Sequence, residues 1–545
     1  MSGKKSKSSD YPTLRATSPG GDRKSPDGNL TNPFTGSEKR RSIGAGGGLK
    51  NFHKRDEDEK YDPPETENFP ADDPFLAPVK KAKDEEEQGF EEELSYAELQ
   101  KYKKREKEAA RDFEVLSRDH WLARNGHTLT YIGLYLFSIL VFFRPYELIP
   151  QLGFLSSAAF VFAAATLAVY LPTQLLTEGN VTVFSTEVKA ILAMTGIALA
   201  TIPIAKSPGM AWETFNDTFI KAVLMFIVMV NVLRTRRRLM GLLWLSLAVG
   251  VYLSFTSLDM YLNGEFNAEG YRVMVEVGGL FGNPNDMALH LVTMTPLAVT
   301  LGIVARSKLA KVFYYLMAGL LVAANTVTYS RGGFLGLLAV TLILLWKLGR
   351  KNRLKVFVIA FFAGLVFILV APGNYGDRIL SIFKPGLDAV GSRDQRKELL
   401  IRSIVVTLRN PWGIGIGNFP IVGIQNLQTH NAFTQISSEI GLLGLGAYLL
   451  LMISPLRKLF AMERILWREG KQNWFYYMSI GFQASIVGFM VSSFFISVAY
   501  NWFIYYLVAY AVAFRRMYQI GQAEKEQGGE EKENNPESLF ELQRA

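Results

Sequence analysis

From residue 128 to residue 514 the chain is a succession of apolar runs, each about as long as a bilayer crossing, joined by short loops rich in Lys and Arg. A helix of roughly 20 residues spans the hydrocarbon core of a bilayer. Within that core every backbone N–H and C=O must find its partner inside the chain, which leaves only helices and closed barrels. These runs are continuously apolar and do not alternate with period two, so they predict helices. Crossings are expected near 128–143, 154–172, 188–205, 218–233, 239–258, 286–304, 312–328, 332–347, 354–371, 438–455, 475–497 and 500–514. The chain is read as an all-α integral membrane protein of about 12 transmembrane helices.

Orientation follows from the asymmetry of basic residues. One set of short loops carries Arg234, Arg236, Arg237 and Arg238, then Arg306 and Lys308, then Lys347 to Lys355, then Arg457 to Lys471. The alternate set carries only Arg144, Lys206, Arg272 and Arg331. Basic loops stay in the cytoplasm, so both termini are expected there. The one long loop on the other side, 372–437, is basic nonetheless. The net charge of +9 is explained by topology and anionic headgroups, and no nucleic acid is expected as a partner.

Residues 1–90 are polar, with Pro and Gly scattered among charges, and are expected to be a disordered tail. Residues 91–127 suit a charged juxtamembrane helix, lying on headgroups or simply solvated, and 515–545 a polar cytoplasmic tail. No apolar segment follows Met1, so the first crossing is expected to act as its own uncleaved signal. With no cysteine in the chain, disulfides and thiolate nucleophiles are excluded.

Four stretches on the outer side hold the candidate chemistry. Tyr329-Ser330-Arg331-Gly332-Gly333 breaks two apolar runs, with paired glycines expected to let the backbone turn tightly. Arg331 there suits bidentate binding of phosphate oxygens, or a snorkelling anchor to headgroups. Gly391-Ser392-Arg393-Asp394-Gln395-Arg396 opens an amphipathic helix, capped by Ser392 and stopped by Pro411, whose basic residues meet a ligand or lipid phosphate. Thr429-His430-Asn431 places a histidine at a loop-to-helix boundary, suited to general base work. The nearby intramembrane Glu439 should face the bundle interior, where it satisfies a partner or reacts. Finally, Phe281-Gly282-Asn283-Pro284-Asn285-Asp286 leads to His290, either a second polar site or a helix cap formed by Asn285 or Asp286. Of the five histidines, His53, His120 and His127 are expected in the tail or at the cytoplasmic entry, leaving His290 and His430 for the outer face. No His, Asp or Glu cluster there has the spacing of metal ligands.

Taken in order, FGNPND, YSRGG, GSRD, NPWGIGIGNF, THNAF and SEIGLLG resemble the O-antigen ligase family over about residues 128–514. That family includes lipopolysaccharide O-antigen ligases, O-antigen and exopolysaccharide polymerases and some protein O-oligosaccharyltransferases. The resemblance implies a GT-C-like membrane glycosyltransferase of a bacterial inner membrane. It would move glycan from an undecaprenyl-diphosphate carrier to an acceptor hydroxyl at the periplasmic face, without a cofactor or required metal. The acceptor would be lipid A–core or a growing glycan, with protein as the alternative. By position, Arg331, Arg393 and His430 match the family's catalytic residues. Arg396, Asn431, Glu439, Asn283 and Arg272 are the expected substrate-binding residues. This sequence lacks the aromatic often found shortly after the loop arginine, since Gln395–Leu399 contains none. A transporter or flippase of lipid-linked sugars is the non-enzymatic alternative, because a basic cavity in a bundle suits it too.

Overall fold

The computed structural model describes residues 121–149, 151–153, 158–275, 281–373, 375–381 and 392–533. The expected tail 1–90, most of the juxtamembrane segment, Gly391 and residues 534–545 lie outside them. Among the described residues the regular elements are helices, and one isolated bridge, Ala268 to Arg272, closes a turn. Helices α1 (Trp121–Phe142), α2 (Ala158–Glu178), α3 (Thr186–Thr201), α4 (Pro208–Val232) and α5 (Arg236–Leu262) form the first half. Then follow α6 (Pro284–Val304), α7 (Lys308–Val327), α8 (Arg331–Leu348), α9 (Arg353–Val370) and the short α10 (Tyr375–Leu380). After these come α11 (Ser392–Arg409), α12 (Ala432–Glu439), α13 (Gly441–Arg468), α14 (Trp474–Ser493) and α15 (Trp502–Glu533), and two four-residue helical turns lie at Pro145–Leu148 and Phe419–Val422.

Among the described residues, nine helices are long and apolar enough to cross a membrane: α1, α2, α4 to α8, α13 and α14. Several bounds differ from those expected, each for a local reason. The run expected over 188–205 stops at Thr201, because Pro203 follows and Ser185 caps its start by accepting from the Val188 amide at 3.3 Å. The run expected over 218–233 begins at Pro208, behind the Ser207 cap, and continues through one π turn at Phe215–Phe219. The run expected from 438 divides between α12 and α13 at Gly441, whose φ is +80°. A Cβ there would stand 2.5 Å from the Pro411 carbonyl, so only glycine fits. Helix α15 carries on to Glu533, through much of the stretch expected to be a polar tail.

Helix α6 is the central one, with 83% of its span buried, and it packs against α5, α7, α8 and α14. Gly336 of α8 faces Ser492 and Gly488 of α14, the small-residue contact that lets helices approach where apolar burial alone gives no advantage over lipid. Several buried hydroxyls donate to their own helix, as Thr130 does to Gly126 (2.8 Å) and Ser138 to Leu134 (2.7 Å), which offsets their removal from water. Outward, α9 presents Leu354, Phe357, Ile359, Phe361 and Phe362.

The polar contacts fall at two ends. At one, Glu178 pairs with Arg234 and Arg516, Glu187 with Lys458 at 2.8 Å, and Glu463 with Lys347 and Arg350. At the other, the Ser207 amide donates to Asn418 (2.6 Å), Arg331 to Ser381 (2.6 Å), and Thr429 meets Ser497 (3.0 Å). At that second end α11 buries Leu399, Ser403 and Val406 and turns Ile401, Ile404 and Leu408 outward, in line with exposed Trp412.

Candidate active site

The corner between α7 and α8 is the first component. Tyr329 takes φ +48°, a left-handed conformation that a bulky residue adopts only when its surroundings hold it there. The rings of Tyr271 and Tyr375 flank it at 5.5 and 5.8 Å. Tyr329 therefore makes the turn that the paired glycines were expected to make. Gly332 and Gly333 are already helical and serve close packing instead: a Cβ on Gly333 would lie 2.6 Å from Asn325 Oδ1, and one on Gly332 would lie 3.0 Å from Phe495. Ser330 caps α8, accepting from the Gly333 amide at 3.1 Å and donating to Asn285 Oδ1 at 2.8 Å. Arg331 follows at the first helical position, buried, with Nη2 donating to Ser381 Oγ.

Arg272 braces this corner. Its Nε donates to the Thr328 carbonyl (2.7 Å), Nη2 to Asn285 Oδ1 (2.9 Å) and Nη1 to Glu269 (3.0 Å). Asn283 is the cap of α6, with Oδ1 accepting from the Asn285 amide at 2.8 Å and Pro284 in the first turn; the expected caps Asn285 and Asp286 lie inside the helix. His290 is buried among Phe142, Phe281 and Phe503 and meets the Ser246 carbonyl at 3.0 Å, so it belongs to the core and not to an outer polar site with Asp286.

Helix α11 brings Arg396, with Arg393 one turn earlier on the same side. The Arg396 guanidinium is pushed down to about 10, first by burial and then by the positive charges of Arg272, Arg331 and Arg378, with Glu269 opposing. His430 is in turn pushed down to about 4, by burial and by the charge of Arg396. The imidazole is thus neutral near pH 7 and available as a proton acceptor. The structure gathers His430, Arg396, Arg331 and Arg272 into one electrostatic neighbourhood and adds Arg378, Glu269 and Ser381, which the sequence did not single out.

His430 has a φ of +50° and sits directly before the cap of α12. Asn431 is that cap, its Oδ1 accepting from the Phe433 and Thr434 amides at 2.9 and 3.1 Å. At the other end of α12, the buried Glu439 accepts from the amides of Gly417 (3.0 Å) and Phe419 (3.2 Å), while the Glu439 carbonyl accepts from Gly415 at 2.8 Å. The glycine-rich turn 411–418 is thereby fixed to the helix that presents His430. Among the described residues no group of three or more His, Asp or Glu side chains is placed to hold a metal ion.

Residues 316–449 match the family model described as O-antigen ligase. Over that stretch the chain is similar to the O-antigen ligase family. A comparison with curated proteins finds no match. Arg331, Arg378, Arg393, Arg396, His430 and Glu439 lie within the matched region, Arg272 and Glu269 reach it through Thr328 and Arg378, and Asn283 lies before it.

Proposed function

We propose that this protein transfers glycan from an undecaprenyl-diphosphate carrier to an acceptor hydroxyl at the periplasmic face of a bacterial inner membrane. The observation that carries this reading is the meeting of Arg331, Arg396, Arg272 and Arg378 beside a neutral His430, within and against the O-antigen ligase region. The acceptor oxygen attacks the anomeric carbon, the glycosyl–oxygen bond to the diphosphate breaks, and the hydroxyl proton passes to His430. The departing diphosphate gains negative charge as the bond breaks, and fixed guanidiniums stabilise it most at that moment. Arg331 and Arg393 carry this role. Bound diphosphate also offsets the charge of Arg396, which raises the basicity of His430, so the base gains strength when the donor is in place.

The charged end of the bundle, with Arg234, Lys347 and Lys458, is taken as cytoplasmic, which puts the arginine site on the opposite side. We read α3, α9 and α15 as crossings as well, giving 12 spans with both termini cytoplasmic in a GT-C-like arrangement. The exposed stripe Ile401, Ile404, Leu408 and Trp412 beds α11 in the headgroup layer, level with the carrier's diphosphate. The acceptor is lipid A–core or a growing glycan.

Purified full-length protein, given undecaprenyl-diphosphate glycan and acceptor in liposomes, is expected to form a glycosidic product. Translocation of the carrier with no product would assign a flippase instead. In a deletion strain, carrier-linked polymer with bare lipid A–core identifies a ligase, and single repeats on the carrier a polymerase. Loss of sugar from periplasmic proteins alone would show that the acceptor is protein.

A further inference from the structure

Glu269 is a carboxylate set among arginines. It takes φ +52°, is followed by Gly270 at φ +74°, and the Ala268–Arg272 bridge closes the turn beneath it. Three groups hold its side chain, and they hold it unequally. The Tyr271 hydroxyl donates to Oε2 at 2.7 Å, Arg272 Nη1 donates to Oε1 at 3.0 Å, and Arg378 Nη2 stands 3.6 Å from Oε2. Arg272 is also tied to Thr328 and Asn285, so its position is fixed. Arg378 has the longest of the three contacts, to an oxygen already taken by Tyr271, and its guanidinium lies 5.5 Å from the Tyr271 ring centre.

Arg378 is also joined to the Arg331 corner. Ser381 accepts from Arg331 Nη2 and donates to the Arg378 carbonyl, both at 2.6 Å. An anion held by Arg331 therefore arrives next to the segment that carries Arg378. We propose that Glu269 is the resident counter-anion of this cluster, and that Arg378 exchanges it for the donor's diphosphate while Arg272 stays in place. This rests on the diphosphate-donor reading above. A diphosphate offers more charge and more acceptor oxygens than one carboxylate, and a guanidinium pairs with it through two parallel bonds. At rest, Glu269 holds mutually repelling guanidiniums together; on donor arrival it is the weaker competitor for one of them.

The test is binding to full-length protein in nanodiscs of zwitterionic lipid, with undecaprenyl diphosphate and undecaprenyl monophosphate as probes. Wild-type protein is expected to favour the diphosphate. Arg378→Ala should weaken diphosphate binding about 10-fold or more, the size of one charge-assisted hydrogen bond. Arg378→Lys should fall between, having charge without the planar fork. Glu269→Gln keeps the side chain's shape, removes the competing charge, and should tighten binding. Wild-type affinity in Arg378→Ala, beside lost affinity in Arg331→Ala, would overturn this proposal and leave the donor reading standing. So would weakened binding in a Glu269→Gln protein that elutes like wild type. Should Glu269→Gln fail to fold, the Arg378→Ala and Arg378→Lys pair decides the matter alone. A wild-type protein with no affinity for undecaprenyl diphosphate would remove the donor reading and the exchange together.

Discussion

Arg331 enters α8 at its first turn, where the helix dipole favours an anion. Arg331→Ala and Arg393→Ala are each expected to abolish transfer in protein that still inserts and folds, with Lys a poor replacement because it lacks the fork; glycan transfer by the purified variants checks this. His430→Ala should lower the rate by about 10²–10⁴-fold, the usual scale of general acid–base catalysis. With His430 held at about 4, activity requires the neutral ring, so kcat/KM should be lost only as pH falls through about 4. Replacing Arg396 by Gln removes a charge that disfavours imidazolium, so the acid limb should move to higher pH; an unmoved limb would separate the two residues. Arg331, Arg393 and His430 were singled out in the sequence because the motifs around them, YSRGG, GSRD and THNAF, resemble those of the O-antigen ligase family. Glu269 and Arg378 were not, because their pairing spans a long stretch of chain and each alone looks like an ordinary loop charge.

At the scale of elements, α12 is a short helix set at both ends by its own side chains, Asn431 at the start and Glu439 at the finish. Glu439→Ala leaves the buried Gly417 and Phe419 amides without an acceptor, at about 1–3 kcal/mol for each unsatisfied group. A lower melting temperature in detergent, with transfer reduced because His430 shifts with the helix, is the expected result; an unchanged melting temperature would remove the anchoring role. The sequence identified Glu439 as an inward-facing carboxylate but not its partners, since backbone amides carry no signature in a sequence. Helix existence was readable from apolar length. Helix ends were less so where a polar cap such as Ser207 or Asn283 stood outside the apolar run, or where a π turn carried the helix on.

At the scale of the whole molecule, charge is divided between an end of paired acids and bases and an end of clustered arginines. Glu463 is buried with Lys347 and Arg350 far from the arginine site in the chain's architecture. Glu463→Ala leaves two cations without their carboxylate and should cost about 3–5 kcal/mol of stability. Thermal unfolding should report this, while affinity for the donor per folded molecule stays at the wild-type value. Deletion of residues 1–90 should leave transfer by purified protein unchanged, because every residue proposed for the reaction lies later in the sequence. The outward stripe of α11 has a kinetic consequence. A donor that never leaves its bilayer is found by search in two dimensions, so the concentration that matters is the number of carriers per lipid. Diluting the carrier with inert phospholipid at constant bulk amount should therefore slow turnover, whereas diluting the whole suspension with buffer should not.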